Sequence, residues 1–243
     1  MALTPQQGRC RSVAVVGVDG HLVDVEARLA GEHGFDLHGL PGEGTGAEDQ
    51  SRQRFQDACA KLSDEVCRRG ADAVRRDSLR ALHEMRDRFL RGDRDIDDAD
   101  VIRALAGLED TWVRDTLVTW GLEERGDEIR AFLTVLAQHA VDGGCAAICT
   151  VLAAVAYQHG HGALALVALQ RALRAEPEYL LALLLDSLLD AQVNPREIRA
   201  MAQRVLRELI DRGVVRDVVC AVDLPAWDAR AHVQHRDEDE GER

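Results

Sequence analysis

Apolar and polar residues follow two different periods along this chain. At the start the period is two. From His21 to Leu29, Val23, Val25, Ala27 and Leu29 fall on one side and Asp24, Glu26 and Arg28 on the other, as in a half-buried strand. Val13 to Val18 feeds into it, and Asp19-Gly20 is a favoured two-residue hairpin turn, because both central positions want positive φ. A third short strand, FDLHGL, follows a turn at Gly34. Pro41 to Gly46 breaks the chain, and a helix is expected to begin near Asp49.

The period then becomes helical. Leu62, Val66, Val74, Leu79, Leu82, Met85 and Phe89 recur at mostly helical spacings, which predicts one or two amphipathic helices over 59–95 with Gly70 between them. RGDRDIDDAD is a polar break in which Asp97 or Asp98 can cap the next helix. Helices are expected near 98–106, 110–122, 127–140, 145–158, 162–175, 178–191 and 196–212. Gly126, Gly143-Gly144, Gly160 and Gly213 stand at the breaks, where a left-handed residue ends a helix at low cost. Pro177 and Pro195 stand near helix starts, where a missing N–H is harmless. Short loops imply antiparallel neighbours. The expected fold is mainly α: a helical bundle preceded by a small β-hairpin or three-stranded α/β fragment.

Composition supports a packed core, since 46% of the 243 residues are hydrophobic and 30% charged. Aromatic residues are only 4%, and Ala and Leu dominate the second half, which favours helices. The net charge of −13 repels a polyanion, so no nucleic-acid partner is expected. Arg outnumbers acids locally between Arg68 and Arg94, and a solvated face laced with Arg–Asp pairs accounts for it. MALTPQQGRC lacks the apolar stretch of a secretory signal. YLLALLLDSLLDA is interrupted by Asp186 and Asp190 and is too short to span a bilayer. No membrane partner is expected, the cytoplasm is the expected compartment, and the six cysteines should stay reduced.

Two stretches resemble known families. RSVAVVGVDGHLVDVEARLAGEHGFDLHGLP, with SRQRF after it, resembles the start of the magnesium-chelatase-like AAA+ ATPase family over residues 9–58. That resemblance implies the first part of an α/β domain related to the Lon protease fold, without the ATPase module. LAGLEDTWVRDTLVTW and VLAAVAYQHGHGALALVALQRALRAEPEYLLALLLDSLL resemble the C-terminal half of the bacterial domain-of-unknown-function family numbered 4192, over about 97–198. Its signature is the GxGALAxxALxRALxxxPxY block, here Gly160 to Tyr179. This resemblance implies a fold and no mechanism, with the family's N-terminal half missing. The same block resembles one tetratricopeptide helix pair, with Gly160, Ala165, Leu169, Ala172 and Pro177 at its small, packing and turn positions. No second copy follows, so a solenoid is not expected. The division that results is a strand-and-helix fragment at 1–58, a helical seam at 59–96, a helical body at 97–212 and a largely disordered acidic tail at 213–243.

Candidate chemistry thins out on inspection. GLPGEGTGAED lacks the lysine of a phosphate loop, and the only lysine, Lys61, lies far downstream. Pro41 and Gly42 also spoil it as a dinucleotide fingerprint. Cys145, Cys149, His159 and His161 suggest zinc, but ten residues of helix between Cys149 and His159 separate them by roughly 15 Å, too far for one ion. Cys59 and Cys67 are read as core packing. His21 and His38 sit near Asp24 and Asp36 without a catalytic pattern. Trp112 and Trp120 are read as core anchors. No catalytic, cofactor-binding or metal residue is assigned, and no enzymatic activity is expected. The leading expectation is a protein-interaction module with its contact surface between 145 and 191. The alternatives are a regulator of the full ATPase acting through the N-terminal strand edge, or a fusion without selected function.

Overall fold

The computed structural model describes residues 15–16, 22–23, 46–140 and 142–215. Within the first of these, Val15 pairs with Val23 and Val16 with Leu22 in a two-residue antiparallel ladder. The remainder of the expected hairpin, the third strand, the glycine-rich connector and the acidic tail beyond 215 lie outside the described residues.

The described chain is mainly helical. Helix α1 spans Gly46–Arg69 and α2 spans Ala71–Leu90. Gly70 separates them with φ at 84°, a value glycine adopts without penalty. α1 runs unbroken through residue 58, where the sequence suggested a boundary, and its Phe55 lies in the same core as the later helices. Then come α3 (Asp98–Gly107) and α4 (Thr111–Thr119), with a 3-10 turn at Trp120–Leu122. Asp97 caps α3 by accepting from the Ala99 N–H at 2.7 Å, and Asp110 caps α4 by accepting from the Trp112 N–H at 2.8 Å. The remaining helices are α5 (Gly126–His139), α6 (Asp142–Gln158), α7 (Gly162–Ala175), α8 (Leu180–Asp190) and α9 (Pro195–Asp211).

α6 is the axis of the bundle. Its residues from Cys145 to Ala156 are buried without exception, as a helix apolar on all sides must be. It packs against α1, α3, α4, α5, α7, α8 and α9. α7 folds back on it after Gly160, whose φ of 80° lets the His161 N–H reach the Ala156 carbonyl at 2.9 Å. Ala165, Ala168 and Ala172, on one face of α7, are fully buried, so the small residues lie in the helix interface. Two arginines tie helix ends together. Arg171 donates to the Ala137 and Ala140 carbonyls at 2.8 and 2.9 Å, and Arg199 donates to the Gly121 and Leu122 carbonyls at 2.8 Å each.

Not every glycine at a break is a helix terminator. Gly160 and Gly213 have positive φ, but Gly126 and Gly144 open helices and act through their size. A Cβ on Gly126 would lie 2.2 Å from the His159 ring, and one on Gly144 would lie 2.8 Å from the Phe55 ring. The arginine-rich stretch is only in part the expected solvated face of Arg–Asp pairs: Arg69 meets Asp77 at 2.6 Å on the surface, but Arg75, paired with Asp110 at 2.9 Å, is largely covered, and Arg86, paired with Glu123 at 2.8 Å, is buried.

Candidate functional site

α8 is nearly all leucine and alanine, and it lies on the outside of the α6–α7 hairpin. Those two helices cover one side of it. Ala182 and Leu185 are buried, and Leu181, Leu188 and Leu189 are partly covered. The opposite side is bare: Leu180 is 69%, Leu184 53% and Leu183 41% exposed. At 100° per residue, Leu180, Leu184, Ser187 and Ala191 form one stripe, with Leu183 beside it. Ser187 turns its hydroxyl back to the Leu183 carbonyl at 2.9 Å, which leaves the stripe less polar than its sequence suggests.

One edge of this face is acidic. Asp186 and Asp190 lie one turn apart, and among the described residues no cation pairs with either. The Asp186 carboxyl is held above its ordinary range, first by its partial burial and then by the charge of Asp190. Glu176, next to Pro177, brings a further charge to the start of α8. Glu109 is raised by burial and then by Glu176. The nearby arginine is committed elsewhere, since Arg114 donates to Asp115 at 2.7 Å and to the Tyr179 hydroxyl at 3.3 Å.

The other candidates resolve into packing. Cys145 and Cys149 face each other at 3.6 Å inside the core. Their mutual hydrogen bond and then burial push the Cys149 thiol well up, which keeps it protonated and unreactive. His161 lies 3.4 Å from Asp127, and the His159 ring covers Gly126, so the cysteines and histidines serve different places. Among the described residues, no group of three or more His, Cys, Asp or Glu is arranged to hold a metal ion. Trp120 is a core anchor, with the His83 ring tilted against it at 5.1 Å between centroids. Trp112 is not: it is half-buried, with the guanidinium groups of Arg75 and Arg212 at 5.9 and 4.8 Å from its ring. Cys59 is half-buried, and Cys67 is exposed rather than in the core. His21, His38 and the glycine-rich connector lie outside the described residues.

Among the described residues, a cleft of about 160 Å³ between α2 and α3 is lined by Ser78, Glu84, Arg88 and Asp100 among others, and two larger clefts lie along α1. One of about 440 Å³ between α1 and α3 is lined by Arg54, Asp57, Lys61, Glu65 and Arg103 among others. Its charges alternate, and Glu65 is shared between Arg69 and Arg103 at 3.6 Å each. The other, of about 250 Å³, lies between α1, α2 and the end of α3, with Cys59 on its wall. Burial, then the charge of Glu109, raises that thiol as well.

The model of one family, the domain of unknown function DUF4192, matches residues 5–196. The chain belongs to this family. The DUF4192 domain spans more than the C-terminal half to which the sequence resemblance confined it, and it takes in residues 9–58. One match running across residues 58 and 96 speaks against a fusion of two unrelated pieces. No curated protein and no solved structure matches the chain. Among the described residues, no helix is long and apolar enough to cross a membrane.

Between 145 and 191, α6 offers little surface: it is buried from Cys145 to Ala156, with Tyr157 partly exposed. The exposed large apolar residues of that stretch are Leu180, Leu183 and Leu184, which the sequence reading did not single out. A signal for them exists. LLALLLDSLL is apolar around most of its circumference, which is more than a helix packed on one side can bury.

Proposed function

We propose that this DUF4192 member is a non-enzymatic protein-interaction module, and that the leucine face of α8 is its contact surface. The observation that carries the reading is the set of three exposed leucines on one side of a single helix. The exposed part of these leucines adds nothing to the stability of the fold. Burying a fully exposed leucine is worth about 1.5–3 kcal/mol, and these are 41–69% exposed, so a partner that closes this face gains roughly half of that from each. The acidic edge fits a polypeptide partner with complementary charge, since the apolar centre supplies affinity and the rim supplies orientation.

The test is capture from the source cell with the intact chain and with Leu184→Glu, followed by hydrogen exchange on the isolated complex. The expected result is a partner held by the parent and lost with the variant, with exchange slowed over 179–191. A partner held equally by both, or protection confined to other helices, overturns the reading. Regulation of a magnesium-chelatase-like ATPase through the N-terminal strand edge is the other proposal; residues 9–58 carry it by resemblance, and it predicts protection there instead.

A further inference from the structure

We infer that the occupant of the α8 face is a basic amphipathic helix; this rests on the docking role proposed for that face. The charge pattern decides it. Asp186 is already partly desolvated, and its nearest like charge is Asp190, one turn away. Any partner that covers Leu183 and Leu184 must approach Asp186 and Asp190, which removes more water from both carboxylates. A neutral or acidic partner would leave two like charges at the edge of the contact with no cation, which costs affinity and specificity. A partner that places Arg or Lys against this edge converts the same approach into charge-assisted hydrogen bonds. Glu109 and Glu176 extend the demand for positive charge to the start of the helix.

The shape of the face sets the rest. α8 has 11 residues, about 16 Å of helix, and the exposed leucines follow helical spacing. A partner helix of about three turns, with apolar residues at i, i+3 or i+4, and i+7, fits its ridges into that stripe. An anionic membrane does not fit. Helices that lie on such membranes carry Lys or Arg on their flanks, whereas this one carries Asp.

The probe is a designed pair of helical peptides sharing one leucine stripe, the first flanked by Arg and the second by Glu. Each is titrated against the full chain at fixed salt by fluorescence anisotropy. The basic peptide should bind at least about tenfold more tightly. Leu184→Glu, or Leu180→Glu at the most exposed position, should abolish binding while leaving the melting curve unchanged. Asp186→Asn with Asp190→Asn should remove most of the preference. Asp93→Asn with Asp95→Asn, the same charge change in the loop between α2 and α3, should leave it intact. If the two peptides bind alike yet both are lost with Leu184→Glu, the face docks helices without regard to charge and this inference fails alone. The same is true if both aspartate pairs reduce the preference equally, since net charge then accounts for it. If binding ignores Leu184→Glu and Leu180→Glu, the docking role itself fails. Binding to phosphatidylcholine–phosphatidylglycerol vesicles that is lost with Leu184→Glu would make the face a membrane contact and overturn the inference.

Discussion

α6 and α8 are both apolar around most of their circumference, α6 mainly through Ala, Val and Cys and α8 through Leu, and they end in opposite environments. α6 carries Ala, Val, Leu, Ile and Cys around its full circumference, and every residue from Cys145 to Ala156 is buried. α8 carries Leu and Ala around most of its own, yet three of its leucines face outward. The difference lies in the number of neighbours. α6 has helices on all sides, and α8 meets α7 and α6 on one side only. Apolar composition all round therefore has two meanings. In α6 it makes the core. In α8 it leaves three leucines exposed to water.

The comparison breaks first at its buried member. Leu152→Ala in the middle of α6 removes a fully buried side chain and should cost about 2–5 kcal/mol, measured by denaturant unfolding. A loss below about 1 kcal/mol would show that α6 is not the packed axis.

Acid distinguishes buried from exposed polar groups next. His83 lies against Trp120 in the interior, and burial, then the charge of Arg86, lowers its pKa to about 4. Its folded value is below its ordinary 6.5, so protonation favours the unfolded chain. Stability should be full above pH 6.5 and fall as pH drops toward 4, by about 3 kcal/mol in all. His83→Phe should reduce that slope in urea melts at stepped pH without removing it, because His159 is lowered as well, chiefly by burial. Asp186, with its pKa raised, works in the opposite sense: it favours the fold at low pH and loses that contribution as pH rises through its folded value.

A smaller effect is expected where α7 meets α6. Ala165→Leu inserts volume into a fully buried contact and should cost about 1–3 kcal/mol. A thermal melt matching the parent would place that face in solvent.

The smallest effect belongs to α8. Leu184→Ala should change stability by no more than about 0.5 kcal/mol, although the same residue change in α6 is severe. A large loss would mean that Leu184 supports the fold and is not held in reserve for a partner.

Periodicity alone located the helices from 98 onward to within a few residues, because Ala and Leu spacing, Asp and Asn caps and proline starts act locally. It also anticipated the break at Gly70 and the buried faces of Ala165 and Ala172. It misplaced the roles of Gly126 and Gly144, since their need is for absent volume opposite His159 and Phe55, and those partners are distant in sequence. It read Cys67 as core and Trp112 as an anchor, because helical spacing says which residues share a face and not whether that face is covered. For the same reason periodicity did not say that α6 would be the buried axis and α8 an outer helix. Local preference formed both helices, but burial is a property of neighbours, and only the packing of seven helices around α6 decided which leucines would be left in water.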